Sequence, residues 1–447
     1  MLSLAHTHGA VIALVDGEHY PSAVCDTIHH LRGQGINIRA AALVGGTEKL
    51  RTSPDYGVPH VVGINPLDAV RAALAACPEA TAVVDLADEP VLVFEQRLAV
   101  IGALAGRGLT WIGADATVEP PVFEDIPVPS IAIIGTGKRI GKTAISGYTA
   151  RFLNARIGRE QDADIVVVAM GRGGPAAPVV VDAAAGPVTV DRLLEISRSG
   201  SHASSDYLED AALTGLTTIG CRRVGGGILG VPVHSNIVEG AQLAAAMDPR
   251  LVILEGSGSC IPPVRTEATM LIGSTRRPRD LFDDLGVYRL ERANLVLIVG
   301  DDAETGSAMA RQVMREHPGT HALSVRLEPT PISDISGQRC AVFTSAPAEA
   351  MSVFERRIIE CGADPVLISS ELANRDHLRR DVDRALDMGV DAFVVEIKAA
   401  GIDVVAEAAD AAGISVVFLD NPPCSNDPDI DLDGELVLLA ARAGVDA

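Results

Sequence analysis

Lysine is scarce in this 447-residue chain: Lys49, Lys138, Lys142 and Lys398 are the only four among 37 basic residues. The net charge is −22, which disfavours generic binding to nucleic acid or anionic membrane, since such partners demand a broad basic face. Aromatic residues make up only 3% and offer no platform for stacking bases. The seven cysteines (Cys25, Cys77, Cys221, Cys260, Cys340, Cys361 and Cys424) stand singly. Without a CxxC pair they read as reduced intracellular thiols, not as a disulfide framework or a zinc site. No apolar run approaches the roughly 20 residues that span a bilayer. The opening stretch MLSLAHTHGAVIALVDGEHY lacks a basic n-region and reaches Asp16 and Glu18 too soon for a signal peptide. The expectation is a soluble, cytoplasmic protein.

What is abundant is alanine, valine, glycine and leucine. Apolar residues make up 47% and charged residues 21%, a balance that suits Val/Ile-rich parallel strands covered by Ala-rich helices. Length sets a prior of about three domains of roughly 150 residues each.

Short apolar runs alternate with helical patterns from the start: AVIALVDGEHY, IRAAALVGG, PHVVGI, TAVVDLADEP and LTWIGA read as strands. Such alternation implies βαβ units and a parallel sheet. Acidic residues follow two of these strands, Asp16 and Glu18 with His19 in one case, Asp85, Asp88 and Glu89 in the other. They either cap the next helix or contribute to a ligand site at the carboxyl edge. The Pro-rich passage VEPPVFEDIPVPS, residues 118–130, resists helix and reads as a linker. The expected organisation is an N-terminal α/β domain over 1–125, a nucleotide-binding and substrate core over 126–300 and a C-terminal α/β domain over 301–447. The expected fold class is α/β, a P-loop NTPase core with a parallel sheet flanked by two α/β domains.

The core opens on IAIIGTGKRIGKTAIS. Gly141-Lys142-Thr143 is the end of a P-loop, in which backbone N–H groups cradle phosphates, Lys142 reaches the β/γ oxygens and the Thr143 hydroxyl takes Mg²⁺. The tripeptide alone is a weak signal. Its setting of apolar strand, glycine-rich turn and helix strengthens it, and the helix N-terminus attracts anions. The match departs from the standard pattern at Thr136, where glycine is usual; Gly135 and Gly137 flank it. Lys138 and Arg139 fit P-loop variants that carry a second lysine. ATP with Mg²⁺ is the cofactor this loop predicts.

Downstream, LVILEGSGS places Glu255 at the end of a buried strand, as a Mg²⁺ organiser or as an ordinary strand-end carboxylate. Between loop and acid lies a concentration of glycine and arginine: Arg172, Gly173 and Gly174 in MGRGGP, Arg222 and Arg223 in GCRRVGGG, and Arg265 in CIPPVRT. Glycine admits close backbone approach and arginine offers forks to phosphate or carboxylate. In so acidic a chain these clusters read as a site for a small polyanion, the alternative being surface charges paired locally. His202 and Asp206 in SHASSDYLEDA, and Asn236 in HSN, are further substrate-contact candidates, although His202 is as readily structural and Asp206 a helix cap. Arg276, Arg277 and Arg279 read as loop charges. Glu396 and Lys398 in VVEIKAAG fit either a second part of the site or a buried ion pair. No spacing suits zinc.

The EGSGS…P layout resembles dethiobiotin-synthetase-like P-loop enzymes, which phosphorylate an acidic group and let it be attacked internally. Taken together, ALVDGEHYP, GTGKRIGKTA, MGRGGP, SHASSDYLEDA, TIGCRRVGGG, LEGSGSCIPPV and VVEIKAAGIDV resemble the cyclic 2,3-diphosphoglycerate synthetases, in the same order over almost the full chain. The resemblance implies an ATP-dependent ligase that closes 2,3-diphosphoglycerate into an intramolecular phosphoanhydride and releases ADP and phosphate. It further implies Mg²⁺ dependence and homo-oligomerisation, a dimer in the simplest case. Lys142, Lys138, Glu255, Arg222 and Arg223 would then be catalytic. Two other readings stay open: a P-loop kinase or ligase for another small polyanion, and a P-loop regulatory ATPase that acts on a protein partner.

Overall fold

The computed structural model describes residues 9–50, 52–157 and 164–446. Residues 1–8, which open the stretch read above for a leader, lie outside the described residues. The chain forms two compact units: the N-terminal residues up to Val122 joined by Arg277–Arg292, and Phe123–Arg276 joined by Ala293–Ala447.

In the first unit a six-stranded sheet runs in the order His60–Val62, Ile38–Leu43, Ala10–Val15, Ala80–Asp85, Thr110–Ile112, Thr117–Val118. All pairings are parallel except the last. Strand AVIALV is buried at every position. Its alternate residues feed two cores, Ile12 and Leu14 on one face, Val11, Ala13 and Val15 on the other, as a sheet covered by helices on both faces demands. The strand order reverses beside Ala10–Val15, and Asp16 emerges there.

The second unit holds two sheets. The larger places seven parallel strands in the order Thr218–Val224, Ile165–Gly171, Leu251–Glu255, Ser130–Gly135, Ala268–Ser274, Leu295–Val299, His321–Leu327. Antiparallel pieces pair at its two edges, Val179–Val181 and His234–Ser235 at one, Pro423–Ser425 at the other. The central strands SIAIIG, IVVVAMG and LVILE are buried throughout. Ile131, Ile133, Val167 and Ile253 pack under the helix Lys142–Ile157, while Val166, Val168, Val252 and Leu254 face the helix Ile237–Ala245. The smaller sheet runs Thr330–Pro331, Ser415–Asp420, Ala392–Val395, Arg339–Phe343, Asp364–Ser369, parallel except at its first strand. The protein is thus α/β, a P-loop core with an N-terminal and a C-terminal α/β region.

Candidate active site

Four neighbouring parallel strands of the larger sheet deliver the sequence motifs to one edge. The P-loop leaves Ser130–Gly135, Arg172 follows Ile165–Gly171, Glu255 ends Leu251–Glu255 and the Arg222-Arg223 pair closes Thr218–Val224. Parallel strands put all their carboxyl ends on the same side, where ligands of open α/β sheets bind. A cavity of about 350 Å³ lies there, lined by Gly137 to Thr143, Gly171 to Gly173, His202, Ser204 to Asp206, and Ser257 with Gly258. Its other wall comes from the smaller sheet: Ser345, Ala373, Lys398 and Ala399 follow the ends of three of its strands. Three of the chain's four lysines therefore line one cavity.

The loop is shaped by two left-handed residues, Arg139 at φ 58° and Gly141 at φ 82°. The first is unusual for a side chain with a Cβ and marks a backbone held by its surroundings. Thr136 N donates to Ile272 O at 3.0 Å, which fastens the loop's root to the neighbouring strand. Thr136 and Gly135 belong to this root and Gly137 to Thr143 to the lining. Beyond them Lys142 starts a 16-residue helix, whose first N–H groups have no intrahelical partner.

The cations converge. A Cβ added to Gly258, itself at φ 59°, would stand 3.5 Å from Arg223 Nη2 and Lys138 Cγ and 3.6 Å from Arg172 Nη2. Burial first, then the charges of Arg172, Arg223 and Arg139, hold the Lys138 ammonium below the usual lysine range, although Asp206 pulls the other way. Among the described residues, Lys138, Arg139, Lys142 and Arg172 form no salt bridge. Unpaired like charges at this proximity cost free energy unless an anion joins them.

Opposite stand buried acids. Glu255 is 2% exposed and Asp210 1% exposed, and none of their four carboxylate oxygens has a hydrogen-bond partner. Burial pushes both above the usual carboxylate range, with the charge of Glu255 adding to the rise at Asp210 and that of Asp206 to the rise at Glu255; Lys142 first, then Asp210 and Thr143, pull Glu255 the other way. Two orphaned carboxyl groups beside the P-loop threonine are a donor set that fits Mg²⁺, which takes one or two carboxylates and fills its shell from phosphates and water. Among the described residues no cluster of three His, Cys, Asp or Glu is arranged for a metal. Asp210 was not legible in the sequence, because it lies one helical turn after Asp206 on an otherwise ordinary amphipathic helix, Asp206–Thr214.

The remaining sequence candidates divide. His202 lines the cavity and its ring covers Gly173, where an added Cβ would meet Cδ2 at 2.7 Å. Asp206 lines it as the first residue of its helix. Gly174 sits under the backbone of Cys221, 1.9 Å from its carbonyl oxygen if given a Cβ. Arg222 and Arg223 do not line the cavity. Successive strand residues point to opposite faces, so the pair separates: Arg222 Nε donates to Pro175 O at 2.8 Å, while buried Arg223 donates to Gly225 O at 3.1 Å and Ser257 O at 3.0 Å. Asn236 brackets the same turn; its Oδ1 accepts from Arg222 N at 2.6 Å and its Nδ2 donates to Pro175 O and Ala176 O. Arg265 is apart, exposed and paired with Asp125 at 2.8 Å.

Fold and site together define a P-loop nucleotide-binding protein with a polyanion-friendly cavity at its carboxyl edge. Three family models match successive stretches: cyclic 2,3-diphosphoglycerate synthetase N-terminal domain at residues 10–119, P-loop domain at 130–315 and C-terminal domain at 331–422. The cyclic 2,3-diphosphoglycerate synthetase of Rubrobacter xylanophilus is 39% identical over 96% of this chain and 97% of its own. That of Thermococcus kodakarensis is 37% identical over 93% and 95%. A crystal structure of LpxK from Aquifex aeolicus with ATP aligns at 13% identity over 84% of this chain and 99% of that one, TM-score 0.45, too slight a likeness to argue from. The chain belongs to the cyclic 2,3-diphosphoglycerate synthetase family, and is an enzyme of the ligase type with a P-loop domain.

Proposed function

We propose that this enzyme uses Mg-ATP to close 2,3-diphosphoglycerate into its cyclic phosphoanhydride, with release of ADP and phosphate. The observation that carries the reading is the cavity in which P-loop residues, Arg172 and Lys398 converge. The substrate brings about five negative charges near neutral pH, almost two per phosphate and one carboxylate. Only a local surplus of cations accommodates it beside a triphosphate.

The γ-phosphoryl group passes to an oxygen of one substrate phosphate as the bond to ADP breaks. An oxygen of the second substrate phosphate then attacks the phosphorus of the first, and inorganic phosphate leaves. The nucleophile is already an anion, so no general base is required. Lys142 and Lys138 offset the charge that develops on the transferred group. Arg172 holds the two substrate phosphates together against their repulsion, which is catalysis by proximity. Arg222, Arg223 and Asn236 act behind it by fixing the turns that carry Arg172 and Ser257. Thr143 and Glu255 are the residues that would hold Mg²⁺, which when bound neutralises phosphate charge.

Phosphate release from Mg-ATP by the purified protein, with and without 2,3-diphosphoglycerate, tests this directly, with ³¹P NMR of the products. Substrate-dependent release with a new cyclic phosphoanhydride signal is the expected outcome. ATP turnover indifferent to the bisphosphate, or stimulated only by a protein, would sink the assignment.

A further inference from the structure

The wall supplied by the smaller sheet is built around a single cation. Lys398 lies two residues beyond Glu396 in a tight turn: Lys398 N donates to Glu396 O and Gly401 N donates to Lys398 O, both at 2.8 Å. Ala399 is held at φ 48°, a left-handed conformation that alanine adopts only when the surroundings impose it. Gly401 has no room for a Cβ, which would meet Glu396 O at 2.3 Å.

The surroundings are visible. The buried Glu396 carboxylate accepts from Ser345 N and Ser345 Oγ at 2.8 Å each and from Asn421 Nδ2 at 3.1 Å. It thereby ties the ends of three adjacent strands into one platform. Lys398 projects from that platform across the cavity, and its Nζ meets Glu209 Oε1 of the P-loop core at 3.1 Å. One carboxylate oxygen occupies one of three ammonium N–H groups. The side chain remains 30% exposed and lines the cavity opposite Lys138, Lys142 and Arg172. A chain with 37 basic residues and four lysines has set a compact, rotatable point charge here, where three sit round one space.

We propose that Lys398 is the phosphate ligand of the second substrate phosphate, the one that is not phosphorylated, and that Glu209 is its positioning residue. The C-terminal region thereby supplies the half of the substrate site that the P-loop sheet lacks. Glu209 holds the ammonium over the cavity from a helix rooted in the P-loop core, so the contact also registers the two walls against each other. The proposal rests on the bisphosphate reading above.

The test keeps the two apart. Wild-type turnover is measured against 2,3-diphosphoglycerate at saturating Mg-ATP, and nucleotide affinity is measured separately with a fluorescent ATP analogue. Charge-assisted phosphate contacts set the expected effect: Lys398→Met raises KM for the bisphosphate roughly 10- to 100-fold, and leaves nucleotide affinity within about twofold. Lys398→Arg restores part of the loss. Glu209→Gln raises the same KM by a smaller factor with kcat less affected, as loss of positioning requires. If wild type shows no dependence on the bisphosphate, the functional reading fails. If wild type depends on it and Lys398→Met keeps its KM, the inference alone fails. If Lys398→Met instead loses the nucleotide, Lys398 belongs to ATP and the inference is again overturned. Lys398→Arg also serves as the folded comparison should Lys398→Met not fold.

Discussion

Two buried carboxylates end strands in the two units, and they are opposites. Asp16 in the first unit is fully buried yet saturated: its oxygens accept from Glu18 N, His19 N and Asp88 N at 2.8–3.0 Å and meet the His19 ring at 2.9 Å. Burial alone would raise its pKa, but the backbone N–H groups of His19 and Asp88 and the His19 ring outweigh it, and the group lies below the ordinary value. Glu255 in the second unit is as deeply buried, has no hydrogen-bond partner and lies above its ordinary value. A carboxylate supplied with all its donors is a brace that stabilises a turn. One left without any, facing a second orphan and a P-loop, is destabilising until a cation arrives. Position at a strand end, which both share, does not separate the two.

The comparison breaks most sharply on turnover. Lys142→Ala is expected to lower kcat on the order of 10²–10³-fold, as loss of a group that meets transition-state charge does. Glu255→Gln should cost about 10²-fold, read by the same phosphate-release assay, whereas Asp16→Asn should leave kcat near that of wild type. Stability should run the other way. Asp16→Asn removes charge-assisted hydrogen bonds worth about 2–3 kcal/mol and lowers the calorimetric transition of its unit. In Mg²⁺-free buffer Glu255→Gln relieves repulsion and should raise the melting temperature; a fall would show that the pair is already satisfied.

pH sharpens the same contrast. Burial, only partly offset by Lys398, pushes Glu209 from 4.5 up to about 8. A carboxyl raised in the fold contributes stability below its unfolded value that is lost as pH rises through the folded one. The second unit without Mg²⁺ is therefore expected to lose stability between pH 4.5 and about 8. Asp16, with its value lowered, contributes stability present above 3.8 and lost only as pH falls below it. Calorimetry across this range reads both, and Glu209→Gln should flatten the first slope.

Smaller effects test the arginines. Arg223→Ala strips donors from Gly225 O and Ser257 O and should cost about 1–2 kcal/mol with a modest rise in KM. Arg265→Ala, removing a pair with side chains 66% and 79% exposed, should change stability by less than about 0.5 kcal/mol and turnover not at all. A large loss of activity there would place Arg265 in the site after all.

Much of this protein was legible in one dimension. Runs such as IVVVAMG and LVILE can be satisfied only inside a parallel sheet, and Gly141-Lys142-Thr143 after such a run is a phosphate loop because its chemistry is local. Those features need only neighbours along the chain. The sequence alone thus determined the α/β class, the nucleotide loop and, through motif order, the family. Contact across the fold is a different matter. Arg222 and Arg223 are adjacent in sequence and look equivalent, but strand alternation sends them to different carbonyls. Asp210 acquires its character from Glu255, 45 positions away, and Lys398 from Glu209, 189 positions away. Only the tertiary structure decided which buried charge is paired and which is left waiting, because desolvation and pairing depend on what the fold brings alongside and not on the residue itself.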